Sequence, residues 1–261
     1  AHRRLTANES TLNDALVKAR QHLTALRAEY RGVTERYRRV RETAKPTDST
    51  VLDAKRDAER VEALLQVGFN TLAIAGQAKD AQDLVALAQA DEFLRYQHLE
   101  LAAHIEKRLG ILSKGAVNAA LSDKQESTRV FAASLMYRLV LQAGKEILLD
   151  HLRLPADRPE TPVAVYALGD RPDPAVLQAM SKVVEVFAKE RQRIDAFKSA
   201  GTPASYPIKL WNAAVHASIY LIAYGDEQQK RAATQVVYKA SHFKELVTVI
   251  EDPRNLADYF L

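Results

Sequence analysis

The chain has 261 residues, with 37 Lys and Arg against 33 Asp and Glu, no Cys, and 47% hydrophobic residues. That length buries a real core, in one large domain or two small ones, and the missing cysteine excludes disulfide frameworks, thiolate metal centres and cysteine nucleophiles. The net charge of +4 is uneven: residues 1–46 carry 11 basic and 5 acidic side chains, or +6, and the remainder carries −2.

The start at Ala1 fits loss of an initiator Met, cleavage of a targeting peptide or trimming, as in a processed mature chain. No apolar run follows His2-Arg3-Arg4, so no signal peptide is read there. A cysteine-free composition is compatible with every compartment.

Leu12, Leu16, Ala19, Leu23, Leu26, Tyr30, Val33, Tyr37, Val40 and Ala44 step alternately by four and three, an unbroken heptad seam. It predicts a first helix of roughly 34 residues, about 50 Å long. Ser10 or Thr11 is placed to cap its start and Pro46 to stop it. Val51, Ala54, Ala58, Val61, Leu65, Gly68, Leu72 and Ala75 predict a second helix with smaller seam residues, suited to close antiparallel packing on the first. A third helix is read from about Asp80 to Ser113 and a fourth from about Ser122 to Leu152.

Five of the nine prolines then fall between 155 and 174, which points to a boundary. Within it, Val163 to Leu168 reads as a short extended segment. Three further helices are predicted: about Pro174 to Ser199, Tyr206 to Tyr224, and a last one with the stripe Val236, Ala240, Phe243, Val247 and Ile250. The apolar stretch Leu210–Tyr224 is 15 residues long and holds Asn212 and His216. About 20 are needed to span a bilayer, so it reads as a buried helix of a soluble chain with no transmembrane segment.

The expected fold is all-α: an up-down bundle of about four long helices followed by a smaller three-helix unit. The expected organisation is a coiled-coil-like bundle over 1–152, a proline-rich linker over 153–173 and a C-terminal helical unit over 174–261.

Few motifs carry chemistry. The glycine spacing of Gly110 and Gly115 is that of a phosphate loop, but Ala116 and Val117 stand where Lys and Ser or Thr are required. No GxSxG, GxGxxG or HExxH occurs. Glu100 and His104, four apart on one helix face, are the metal candidates. Their spacing is not the Glu-x-x-His of di-iron bundles and no second copy exists, so neither metal nor cofactor is expected.

Asp91 and His98 put polar groups in an apolar seam, as a ligand site or as a polar layer that fixes register. His216 and His242 lie on apolar helices and read as hydrogen-bonded core or edge histidines. Arg36, Arg38, Arg39 and Arg41, beside Tyr37, form the sharpest basic cluster, suited to nucleic acid, anionic lipid, an acidic partner or plain solvent. Tyr206, Trp211, Tyr220 and Tyr224 suit an interface or a small core equally. Asn8-Glu9-Ser10 is formally a glycosylation sequon.

The expected function is a non-catalytic structural or interaction protein, a scaffold or accessory subunit of an assembly, joined by a protein partner or by itself through long helix seams. The alternatives are a nucleic-acid-binding protein using the basic first helix and a bundle-type sensor or carrier for a small ligand.

Overall fold

The computed structural model describes residues 2–45, 47–92, 94–139, 143–154, 158, 160–169, 171–199 and 208–238. The fold is all-α, and the described residues contain no strand. The chain forms two compact units, 1–117 and 118–261.

In the first unit, α1 (His2–Thr43) and α2 (Ser49–Ala75) are the two long helices. α1 begins well before the expected cap at Ser10 or Thr11. Its seam is legible in the burial: Leu16, Ala19, Leu23 and Tyr30 are buried, and so are Val51, Ala54, Val61, Leu65, Gly68 and Leu72 of α2. The helices run antiparallel, since Arg36 meets Asp57 at 3.5 Å while Arg60 meets Glu29 at 3.0 Å. Gly68 is the hole for the Leu23 knob: a Cβ there would stand 2.9 Å from a Leu23 methyl. Toward the end of α1 the seam opens, and Val33, Tyr37 and Val40 are only half-buried.

The expected third helix is two helices, α3 (Ala78–Ala90) and α4 (Arg95–Arg108), which pack on each other. No Gly or Pro lies between them. The break is tertiary: Asp91 is drawn to arginines of α1, and the buried Arg95 Nε donates back to the Ala88 carbonyl at 2.9 Å. α3 runs parallel to α1, because Arg20 meets Asp80 and Arg31 meets Asp91. α4 returns alongside α2, with His98 by Phe69 and Ile105 by Gly76. Directions therefore alternate through the four helices, with the up-down order formed within 117 residues.

α4 also finishes α2. Arg108 Nε donates to the Ala73 carbonyl at 2.9 Å and its Nη2 to that of Gly76, satisfying carbonyls that a helix end leaves open. A 3-10 turn (Leu112–Lys114) and α5 (Ala116–Ala119) follow. The Glu106 carboxylate, almost fully buried, accepts from Ala116 N at 2.5 Å and Val117 N at 3.3 Å. Burial pushes its pKa up, and the two N–H groups offset only part of that push.

The second unit contains a 3-10 turn (Ala120–Ser122), α6 (Glu126–Leu139), α7 (Lys145–Leu152), α8 (Thr161–Leu168), α9 (Pro174–Ser199), α10 (Ile208–Tyr224) and α11 (Glu227–Tyr238). The expected helix over 122–152 is thus divided between α6 and α7, with Gly144 at φ 86° starting α7. The segment Val163 to Leu168, expected to be extended, is helical. Pro162 sits in the first turn, where its missing N–H costs nothing. α8 packs on α6, α7 and α10, and Val163, Ala164, Val165, Ala167 and Leu168 are all buried. Burying a Val or Leu contributes about 1.5–3 kcal/mol, enough to override local β-preference.

The proline count points to a linker at 153–173, whereas the compact units divide between Val117 and Asn118. Residues 118–152 share one core with α8, α9 and α10, including Val130, Leu148, Leu168, Met180, Phe187 and Leu221. Trp211 packs on Phe187, ring centroids 5.3 Å apart, so it serves the core. Tyr220 is buried and its hydroxyl bridges the loop before α9: it donates to the Arg171 carbonyl at 2.7 Å and accepts from Asp173 N at 3.0 Å. The last predicted helix is present as α11 to Tyr238. Ala240, Phe243, Val247, Ile250 and the tail lie outside the described residues.

Candidate functional site

The two polar residues expected inside the first unit are both buried, and the charge of Asp91 is felt at His98. Asp91, at the end of α3, receives Arg31 Nη2 at 3.1 Å and Arg27 Nη2 at 3.8 Å, both from α1. His98, one heptad on, is 0% exposed and stands edge-on to Phe69, centroids 6.3 Å apart. Among the described residues, neither of its ring nitrogens has a hydrogen-bond partner, nor has the buried Arg27 Nε or Thr34 Oγ1. Burial, reinforced by the Arg27 charge and opposed by Asp91, lowers the His98 pKa to about 4. The ring is therefore neutral at pH 7. Through Arg27 and Arg31, Asp91 ties α1 to the turn between α3 and α4.

A second contact of this kind lies on the same pair of helices. Arg20 grips Asp80 with two parallel bonds, Nε to Oδ1 at 2.6 Å and Nη2 to Oδ2 at 2.7 Å. Asp80 also accepts from Gln77 N at 2.7 Å and so caps α3. Burial acts to raise the Asp80 pKa, but the Arg20 and Gln77 bonds outweigh it and hold the carboxyl below its usual range. Asp80→Ala is expected to cost about 2 kcal/mol, roughly half for the lost cap and half for a pair whose arginine is partly solvated. Urea denaturation of the two chains measures it, and an unchanged midpoint would refute the clamp.

The basic cluster of α1 is partly neutralised within the chain. Arg36 pairs with Asp57 at 3.5 Å and Arg39 with Glu35 at 3.3 Å. Arg38 and Arg41 are exposed and have no ion-pair partner among the described residues. Of the metal candidates, His104 is exposed and Glu100 half-buried. No group of three or more His, Asp or Glu able to hold a metal occurs among the described residues.

His216 lies beside Tyr166, centroids 5.8 Å apart, and burial lowers its pKa to about 4. Its Nε2 has no hydrogen-bond partner among the described residues. His242, Tyr206 and the side chains of Asn8 and Ser10 lie outside the described residues. Tyr224 is exposed beside a shallow hollow of about 600 Å³, lined also by Pro174, Leu177, Gln178, Ser181 and Asp226. No helix among the described residues is long and apolar enough to cross a membrane.

Two features of the fold lie outside the residues singled out in the sequence. The first joins a carboxylate, an imidazole and a hydroxyl: Glu126 Oε1 to His151 Nδ1 at 3.0 Å, and His151 Nε2 to Thr161 Oγ1 at 3.3 Å. That is the connectivity of a nucleophile with its base. Thr161, however, is 1% exposed, so no substrate carbonyl reaches it. Arg158 also binds Glu126, and the four residues tie α6 and α7 to the start of α8.

The second is a bare face of α2. Leu64, Val67 and Ile74 are 45%, 64% and 72% exposed, on the side away from the α1 seam. No charged residue occurs from Ala63 to Ala78. The polar groups here bond along their own helix: Thr71 Oγ1 donates to the Val67 carbonyl at 2.9 Å, and Gln66 Nε2 donates to Asn70 Oδ1 at 3.1 Å. The signal is readable in the sequence as a second 3-4-3 stripe beside the seam.

No family model matches the chain, and no curated protein or solved structure matches it either.

Proposed function

We propose that this chain is a non-catalytic helical interaction protein, a scaffold or accessory subunit that binds a protein partner or a second copy through its α1–α2 hairpin. The observation that carries the reading is the uncharged, exposed stripe Leu64–Val67–Ile74 on α2. Exposed apolar surface without charge is the composition of interface cores. The half-buried Val33, Tyr37 and Val40 at the open end of the α1 seam support it.

Light scattering on a size-exclusion column at low and high salt, with a tagged pull-down, tests this. The expected result is a mass above the single-chain 29.1 kDa, or a retained protein partner, in either case persisting in high salt. A monodisperse monomer that retains no partner would overturn it. Association that dissolves in high salt would move the contact to Arg38 and Arg41 of α1.

A further inference from the structure

We infer that the α2 face formed by Leu64, Val67, Thr71 and Ile74 packs antiparallel on the same face of a second copy of this chain, about a two-fold axis between Val67 and Thr71. The inference rests on the interaction reading above and names its partner.

The argument begins with spacing. The four residues step 3, 4, 3, which reads the same from either end. An antiparallel copy centred between Val67 and Thr71 sets Leu64 on the partner's Ile74 and Val67 on the partner's Thr71. Every apolar group then meets an apolar group or a threonine methyl. Two-fold pairs of this kind require a self-complementary patch, and a palindromic stripe is one.

Charge points the same way. A two-fold face brings a charge against its own copy wherever that charge lies near the axis, and such like-charge juxtaposition is destabilising. This face carries none from Ala63 to Ala78, while α2 before it is dense with them: Lys55, Arg56, Asp57, Glu59, Arg60 and Glu62. The hydroxyl of Thr71 and the amides of Gln66 and Asn70 already have partners on their own helix. Closing the face over Leu64, Val67, Thr71 and Ile74 therefore leaves the Thr71 hydroxyl bonded.

Size sets the strength. One helix pair buries less than the roughly 1,600 Å² of a standard interface, so a dissociation constant in the micromolar range is expected.

The absence of cysteine supplies a clean test in the full chain. Leu64→Cys and Ile74→Cys are made separately. Residues ten apart on a helix are separated by about 15 Å, beyond disulfide reach. Under mild oxidation, mixing the two variants is expected to give a mixed disulfide dimer, while each alone stays unlinked. Val67→Glu, on a residue 64% exposed, is expected to weaken dimerisation ~tenfold or more in a concentration series by light scattering, with unchanged circular dichroism. Ile74→Glu is the second variant and should do the same.

A dimer that links Leu64→Cys to itself, or that survives both glutamates, overturns this inference and leaves self-association standing through another face. A monomer at all concentrations also overturns it. In that case the interaction reading survives if the pull-down retains a protein, and falls if it does not.

Discussion

Acidification from pH 7 to pH 4 is expected to remove about 3 kcal/mol of stability through His98 and a similar amount through His216. Each ring has a folded pKa of about 4 against an ordinary 6.5, because burial disfavours the imidazolium. The unfolded chain takes up the proton near 6.5 and the folded chain does not. The contribution is therefore complete above pH 6.5, shrinks as pH falls, and is gone near pH 4. The carboxylates of Asp80, Glu126 and Asp173 sit below their usual range and act in a lower window, their contribution lost only as pH falls through their lowered values. Glu106, raised by burial, works against the trend and favours the folded state as it takes up a proton.

The two histidines are separable. Trp211 is the only tryptophan and lies in the second unit, so its fluorescence follows that unit, while far-ultraviolet circular dichroism follows both. His98→Leu removes a ring that makes no hydrogen bond among the described residues. It should leave the urea midpoint at pH 7 unchanged or higher, and flatten the acid loss read by circular dichroism but not that read by Trp211. His216→Leu should flatten the fluorescence transition. If His98→Leu lowered the pH 7 midpoint substantially, or left the acid slope unaltered, the assignment would be wrong.

Gly144→Ala is expected to destabilise the second unit by about 3 kcal/mol. At φ 86° the backbone is one that L side chains rarely adopt, and the new Cβ would lie 2.8 Å from both Cα and O of Ala133. Backbone atoms of α6 cannot swing aside as a flexible side chain can, so α7 has to move off its neighbour. Gly32→Ala provides the contrast. That residue lies within exposed helix, and nothing stands within 4 Å of the place its new methyl would take, so the change should stabilise by up to about 1 kcal/mol. Denaturant midpoints of the two variants must move in opposite directions.

What can be read from the sequence is what repeats. The seams of α1 and α2 are periodic over many turns, and their small-against-large pairing at Gly68 and Leu23 follows from residue size. Asp91 and His98 stand out because polar residues interrupt a stripe. Their arrangement does not, because Arg27 and Arg31 act on Asp91 from a helix some sixty residues earlier. For the same reason the turn between α3 and α4 leaves no local signal: it holds no Gly or Pro, and long-range ion pairing makes it. The opposite holds at Val163 to Leu168, where β-branched residues among prolines suggest an extended segment that burial on several sides makes helical. The open stripe of α2 is legible, but Leu64 and Val67 each sit next to a seam residue, Leu65 and Gly68, and merge into the general apolarity of the helix.

The Glu106 clamp bears on how the chain is made. The first unit holds a carboxylate that is 1% exposed and whose backbone donors, Ala116 and Val117, are the last two residues of that unit. Until the ribosome has released Val117, α1 to α4 can gather only around an acid with no donors, and a nascent chain halted short of it should stay sensitive to protease. Once Val117 is free the first unit can close while the second is still being synthesised.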